Sequence, residues 1–261
     1  MNGVGNERMR LRGIEKTSVW RTLLLVVGLM AATAGPLWAN PSSLAYEGSS
    51  IVWSVGEKRI WRFPDAFAAE VEEMSDRFNG IYALGFRLPD LKVEKRNEKW
   101  SLCIGRDTIF AARPEHAGVI RLNTHLMSLM WMSRVYEALG ALHAKELTPA
   151  YKLRGGYDVA GSVSWYGSEK FFGRRFANGE RFTESHLSAA AMNLPFGTLV
   201  RITTPATGKT VVVRVTDRFR EHKNRVLDIS RAAAEILGIR RMGIAKAQVQ
   251  VIGRVEEIGG E

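Results

Sequence analysis

The first readable pattern is an alternation of apolar and polar positions. Ile51, Trp53 and Val55 alternate with polar neighbours, Gly56-Glu57-Lys58 offers a turn, and Ile60, Trp61 and Phe63 resume the apolar run. This predicts a short hairpin. The period then changes: Phe67, Val71, Met74 and Phe78 recur at helical spacing, with Pro64-Asp65 opening the helix, Asp65 as candidate N-cap and Asn79-Gly80 closing it. A second helix is expected from about 122 to 139, with Leu122, Leu126, Leu129 and Met130 on one side. Residues 51–147 thus read as a small α+β module, and its Met and Trp content reads as core packing. No catalytic constellation stands out in it.

Beyond residue 160 the texture is different. VSWYG, TLVRITT, TVVVRVTD, RVLDIS and AQVQVIG are short strand-like runs separated by Gly, Asn and Asp turns. One helix interrupts them, with Ser230 as N-cap, Arg231 to Leu237 as body and Gly238 as stop. Many short strands with one inserted helix imply a closed or nearly closed β-barrel over 161–254. Residues 40–50, rich in Ser, Pro, Asn and Gly, read as a linker. So do residues 148–160, which hold Gly155-Gly156, and 255–261 read as a tail. The fold class is mainly β, with an α+β leading module.

A different pattern occupies the start. Arg8, Arg10, Arg12, Lys16 and Arg21 precede LLLVVGLMAATAG, followed by Gly35-Pro36 and the small residue Ala39. A basic region, a short apolar run and a small residue at the cut describe a signal peptide over 1–39. The apolar run is shorter than the ~20 residues that span a bilayer. The expectation is export, to the periplasm or cell envelope. The formal net charge is +10, of which three units belong to this leader, and the remainder suits an anionic surface such as a wall polymer. Nucleic acid would match the charge, but export argues against it. The leader ends without a cysteine, which excludes a lipid anchor there. Cys103, the only cysteine, lies in WSLCIG and is expected as a buried small hydrophobe.

Three carboxylates in the second half stand where chemistry could sit. Glu180 is in the turn ANGE, Asp217 ends the strand VVVRVTD before Arg218, and Asp228 lies in VLDIS two residues before the helix cap. Each has a plainer alternative: a solvated turn, a pair with Arg218, or a bond to backbone near the helix start. Trp165 and Tyr166 are adjacent on a strand and should point to opposite faces. An exposed aromatic beside carboxylates would suit a sugar ring. His186 and His222 have no Cys or acidic partner at ligand spacing, so no metal site is expected. No phosphate loop or nucleotide fingerprint is present, and no cofactor is implied.

In order and spacing, GSVSWYG, FFGRRFANGERF, AAAMNLPFGTLVRI, VVVRVTDR and NRVLDISRAAAEILGI resemble the rare lipoprotein A (RlpA-like) family, over Gly161 to about Arg254. The resemblance implies a C-terminal six-stranded double-psi β-barrel. It also implies a lytic transglycosylase that cuts peptidoglycan glycan strands without water, the sugar's C6 hydroxyl closing on C1 to leave 1,6-anhydromuramyl ends. One carboxyl can serve as acid and then as base, provided its pKa is raised toward neutrality. Glu180 matches the family's catalytic glutamate, and Asp217 and Asp228 match acidic positions. Trp165, Tyr166, Asn178, Arg218 and His186 are the expected substrate contacts. The sequence departs from the family where AAHKTLPFGT reads AAAMNLPFGT, placing Ala191 at the histidine. Thr183 stands for the Asp after Phe182, and Phe219-Arg220 for Gly-Pro. Those departures keep a second reading open, a non-catalytic glycan binder or expansin-like wall protein. A third reading has 51–147 recruiting an envelope protein.

Overall fold

The computed structural model describes residues 40–260, apart from 154 and 220–224. The leader over 1–39, Arg220 and His222 therefore lie outside the described residues. Strands β1 (Ser42–Tyr46), β2 (Ser50–Val55) and β3 (Lys58–Pro64) form an antiparallel sheet in chain order. The expected hairpin is β2–β3. The supposed linker 40–50 differs from expectation because it contains β1. Ser42 is buried, and its hydroxyl accepts a hydrogen bond from Trp53 Nε1 at 2.7 Å, which draws this polar stretch onto the sheet.

Helix α1 (Ala68–Leu84) buries Val71, Met74 and Phe78, as their spacing predicts. Its ends differ from expectation. Asp65 lies in a preceding single turn of 3₁₀ helix and caps nothing with its side chain. Asn79-Gly80 does not stop the helix either. The Asn79 amide is engaged with the Ser42 backbone, and Tyr82 adds another buried position, so the helix runs on to Gly85 at φ 78°. After β4 (Phe86–Arg87), strands β5 (Leu91–Arg96), β6 (Lys99–Ile104) and β7 (Asp107–Ala111) make an antiparallel meander that buries Cys103.

Helix α2 (Thr124–His143) starts two residues later than the pattern suggests, where Asn123 accepts the His125 and Leu126 N–H groups. One side packs on β3, β5 and β6, the other on the barrel. The fit is closest at Gly140, where a Cβ would sit 2.9 Å from Ile252 and 3.1 Å from Leu199. A larger residue there would separate helix and barrel.

The barrel is closed and six-stranded, in the order β10–β11–β9–β12–β8–β13. Its strands are β8 (Asp158–Tyr166), β9 (Ser188–Ala190), β10 (Thr198–Thr204), β11 (Lys209–Asp217), β12 (Arg225–Ser230) and β13 (Ile244–Arg254). β8 with β12 and β9 with β11 run parallel, and the other contacts are antiparallel. The inserted helix α3 (Arg231–Leu237) is capped as expected: Ser230 accepts the Ala233 N–H, and Gly238 is left-handed at φ 72°. The stretch 148–160 gives its last residues to β8, which pairs with β13 from Asp158 onward. The supposed tail contains β14 (Glu257–Ile258), which pairs with β4. The described residues from 40 to 260 accordingly form one compact unit. Among the described residues no helix is long and apolar enough to cross a membrane.

Candidate active site on the barrel rim

The loop between β8 and β9 folds into a small hairpin. Gly173 N–H donates to Phe182 O and Phe182 N–H to Arg174 O, both at 2.8 Å, and Phe176 N–H donates to Glu180 O at 2.8 Å. Gly179, at φ 90°, takes a backbone conformation that side chains resist. The hairpin is pinned to the end of β11, where Asn178 N–H donates to Thr216 O at 3.2 Å and Ala177 N–H to Asp217 Oδ1 at 3.0 Å.

This anchoring turns Glu180 inward. The side chain is 28% exposed and lies against Arg214, which is itself only 5% exposed. The guanidinium grips both carboxylate oxygens, one of them at 2.8 Å. Asn178 donates to Glu180 Oε1 at 2.7 Å and accepts the Glu180 N–H at 3.1 Å, which fixes the glutamate at both its ends. Glu180 is therefore not a solvated turn residue.

The charge state differs from the sequence-based expectation. Burial works to raise the Glu180 pKa, but hydrogen bonds and charge from Arg214, then His186 and Asn178, outweigh it and hold the carboxyl below its ordinary value. Arg214 in turn is held protonated: burial opposes its charge, and Glu180 and Tyr136 overcome that opposition. That direction is opposite to the one an acid role requires.

His186 stands behind this pair, with Nε2 3.9 Å from Glu180 Oε2. Thr183 N–H donates to His186 Nδ1 at 3.0 Å, so the neutral ring carries its hydrogen on Nε2, toward Glu180. Burial first, then the Arg214 charge, lowers the His186 pKa to about 4. Phe176 and Phe182 wall the ring at centroid distances of 5.3 and 6.2 Å. Tyr166 joins this wall 5.7 Å from Phe182, and its hydroxyl is 2.8 Å from Ser188 Oγ. Burial dominates in raising the Tyr166 pKa, with Asp217 and Asp228 adding to it.

Asp217 and Asp228 both lie opposite Ala190 in the neighbouring strands, so β11 and β12 set the two acids on either side of β9. Asp217 Oδ1 also accepts the Arg218 N–H at 2.8 Å. Asp228 is paired with Arg225 at 2.9 Å and accepts from the Ser164 hydroxyl. Ala191 is fully buried, and its N–H donates to Asp217 O at 3.1 Å. Beside it Arg218 reaches the Ala191 carbonyl at 3.4 Å while stacking 3.8 Å over Phe196. Burial, partly offset by Asp217, lowers the Arg218 pKa. Trp165 goes elsewhere, donating its indole N–H to Arg240 O at 3.0 Å. The aromatic pair therefore divides between two surroundings. Among the described residues no group of three or more His, Cys, Asp or Glu side chains could hold a metal ion.

Sequence reasoning missed Arg214. Its one signal was an arginine within the apolar strand run TVVVRVTD, where an alternating pattern would have read it as solvent-facing. The wall also depends on Gly167, at φ 100°, where a Cβ would fall 2.3 Å from Phe182 Cζ. Gly167→Ala is expected to cost about 1–3 kcal/mol in urea unfolding and to displace Phe182.

A family model described as Lytic transglycolase matches residues 158–250. A Nostoc protein named "Probable endolytic peptidoglycan transglycosylase RlpA" is 45% identical over 78 residues, 30% of this chain and 21% of its own length. The family-model match spans the barrel strands and includes Glu180, Asp217 and Asp228. The barrel is an RlpA-like double-psi β-barrel. The chain is also 40% identical over 117 residues to the endolytic peptidoglycan transglycosylase RlpA of Rickettsia typhi, covering 45% of this chain and 35% of that one. The chain thus spans about a third or less of the length of these curated relatives. An expansin structure from Clavibacter michiganensis is similar over 36% of this chain and 50% of its own, with 22% identity and a TM-score of 0.29.

Proposed function

We propose that this protein is an endolytic peptidoglycan lytic transglycosylase of the cell envelope, exported by its leader, with Glu180 as the reacting carboxylate. The observation that carries the reading is the fixed, half-buried Glu180, held at the barrel rim by Arg214 and Asn178 beside Asp217. The names of the RlpA relatives support the substrate class. The reaction breaks the C1–O4 bond while the O6–H proton leaves and O6 bonds to C1. An ionised Glu180 accepts the O6 proton and passes it to the leaving O4, so the proton lost by one oxygen is gained by the other. Asp217 and Asp228 supply negative field toward a developing cation at C1, and Asn178, His186, Tyr166 and Arg218 contact the strand.

Arg214 and Ala191 favour a second reading, a wall binder without chemistry. A carboxylate locked as an anion lacks the proton that O4 requires, and alanine supplies none. One experiment separates the two. Purified protein is incubated with isolated peptidoglycan, the insoluble fraction is sedimented, and the supernatant is searched by mass spectrometry for 1,6-anhydromuramyl products. The enzyme reading expects these products from the wild type and about 10²- to 10⁴-fold less from Glu180→Gln. Sedimentation with the wall and no released sugar from the wild type would leave the binder.

A further inference from the structure

We propose that the leading module is a built-in positioning element for the barrel site: helix α2 places Tyr136 behind the arginine that grips Glu180 and tethers the loop that carries His186. The inference rests on Glu180 being the reacting group, and it gives residues 51–147 a role within the molecule.

Two contacts carry it. Tyr136 is 3% exposed, with its hydroxyl directed to Leu91 O at 3.5 Å, and it adjoins the buried Arg214 guanidinium. Arg214 is thus held between two elements, the Glu180 hairpin on one side and α2 on the other. Nearer the start of the same helix, His125 Nε2 lies 2.8 Å from Ser185 Oγ, and Trp100 of β6 stacks on the His125 ring at 3.8 Å. Ser185 is buried and directly precedes His186. Between these points the helix is fastened to the strand that carries Arg214: Val212 N–H donates to Ser133 Oγ at 2.8 Å. A helix serving only as a lid over β11 would need apolar contact alone. This one places polar groups against both the arginine and the loop.

An arginine buried with a carboxylate holds its geometry only if its remaining surroundings are also fixed. With Tyr136 in place the guanidinium plane faces both Glu180 oxygens. Without the hydroxyl, the guanidinium gains freedom to turn, and the carboxylate loses part of its stabilisation as an anion.

The test follows the Glu180 carboxyl directly, without depending on released sugar. Full-length protein labelled with ¹³C-glutamate is titrated by NMR, with Glu180→Gln used to assign the resonance, and urea unfolding is recorded in parallel. Tyr136→Phe keeps the ring and removes the hydroxyl; the expected result is a Glu180 midpoint moved to higher pH. A purely structural role would lower the urea midpoint and leave the Glu180 titration where it was, and that result overturns the proposal. Ser185→Ala removes the second tether and serves even if the tyrosine variant does not fold. Hydrogen exchange of the amides at 183–187 is expected to quicken about tenfold, equivalent to 1.4 kcal/mol. Unchanged exchange there overturns the proposal as well. A wild type that releases no anhydro sugar would end the enzymatic reading without touching either measurement.

Discussion

Arg214→Met is expected to destabilise the protein by about 3–5 kcal/mol at neutral pH, because it leaves a largely buried carboxylate without its cation. The loss should fall toward the lower figure, since Glu180 keeps 28% exposure and its Asn178 bond. The pH dependence gives a sharper reading. Arg214 depresses the folded pKa of Glu180, so the stability it contributes is complete above the ordinary glutamate pKa. That stability is lost as pH falls through the lower folded value. His186 behaves similarly on the acid side: neutral in the fold with a pKa of about 4 against an ordinary 6.5, it costs stability as pH falls through that interval. Arg214 contributes to both depressions. Urea unfolding from pH 7 down to pH 3 should therefore show a shallower acid loss in Arg214→Met than in the wild type. Parallel curves would show that the guanidinium does not set either charge state.

The second large effect lies in the leading module. Trp131 of α2 is fully buried, with ring centroids 6.0 Å from Trp61, 5.8 Å from Phe63 and 5.4 Å from Phe110. Trp131→Ala is expected to cost about 3–5 kcal/mol by leaving a cavity among these rings. Because α2 also packs against the barrel, the loss should appear as one displaced unfolding transition, followed equally by near-UV circular dichroism and by barrel amides. Two separated transitions, with the barrel's unmoved, would show that the two parts unfold independently. Trp131→Phe should be milder, since it retains most of the ring and removes an indole N–H that has no partner among the described residues.

These two residues also show what the chain discloses by itself. The strands of the barrel were legible because apolar residues recur in short runs between turn residues, and helix α3 because Ser230 and Gly238 carry its capping chemistry. Strand β9 was not: three small residues, Ser188 to Ala190, have no period of their own and become a strand only between β11 and β12. The end of α1 misled because Asn79-Gly80 is a local stop signal, which the Asn79 bonds to Ser42 and the burial of Tyr82 override from a distance. Glu180 could be picked out from its motif, but its charge state could not. That state is decided by Arg214, 34 positions further on in sequence, and by a helix that precedes the motif. Local pattern identifies the group that could react, and tertiary burial sets its proton.

The return of Glu257–Ile258 to Phe86–Arg87 means that neither part is finished without the other. Leu88 N–H donates to Glu256 O at 3.0 Å, and a Cβ on Gly259 would meet Tyr82 O at 1.8 Å, so the last turns of the chain are moulded to the first helix. Separating the barrel and its C-terminal strand from the leading module would strip β4 of its partner strand and leave α2's contact side on β11 bare. Cutting the chain between α2 and β8 is therefore expected to destabilise both parts.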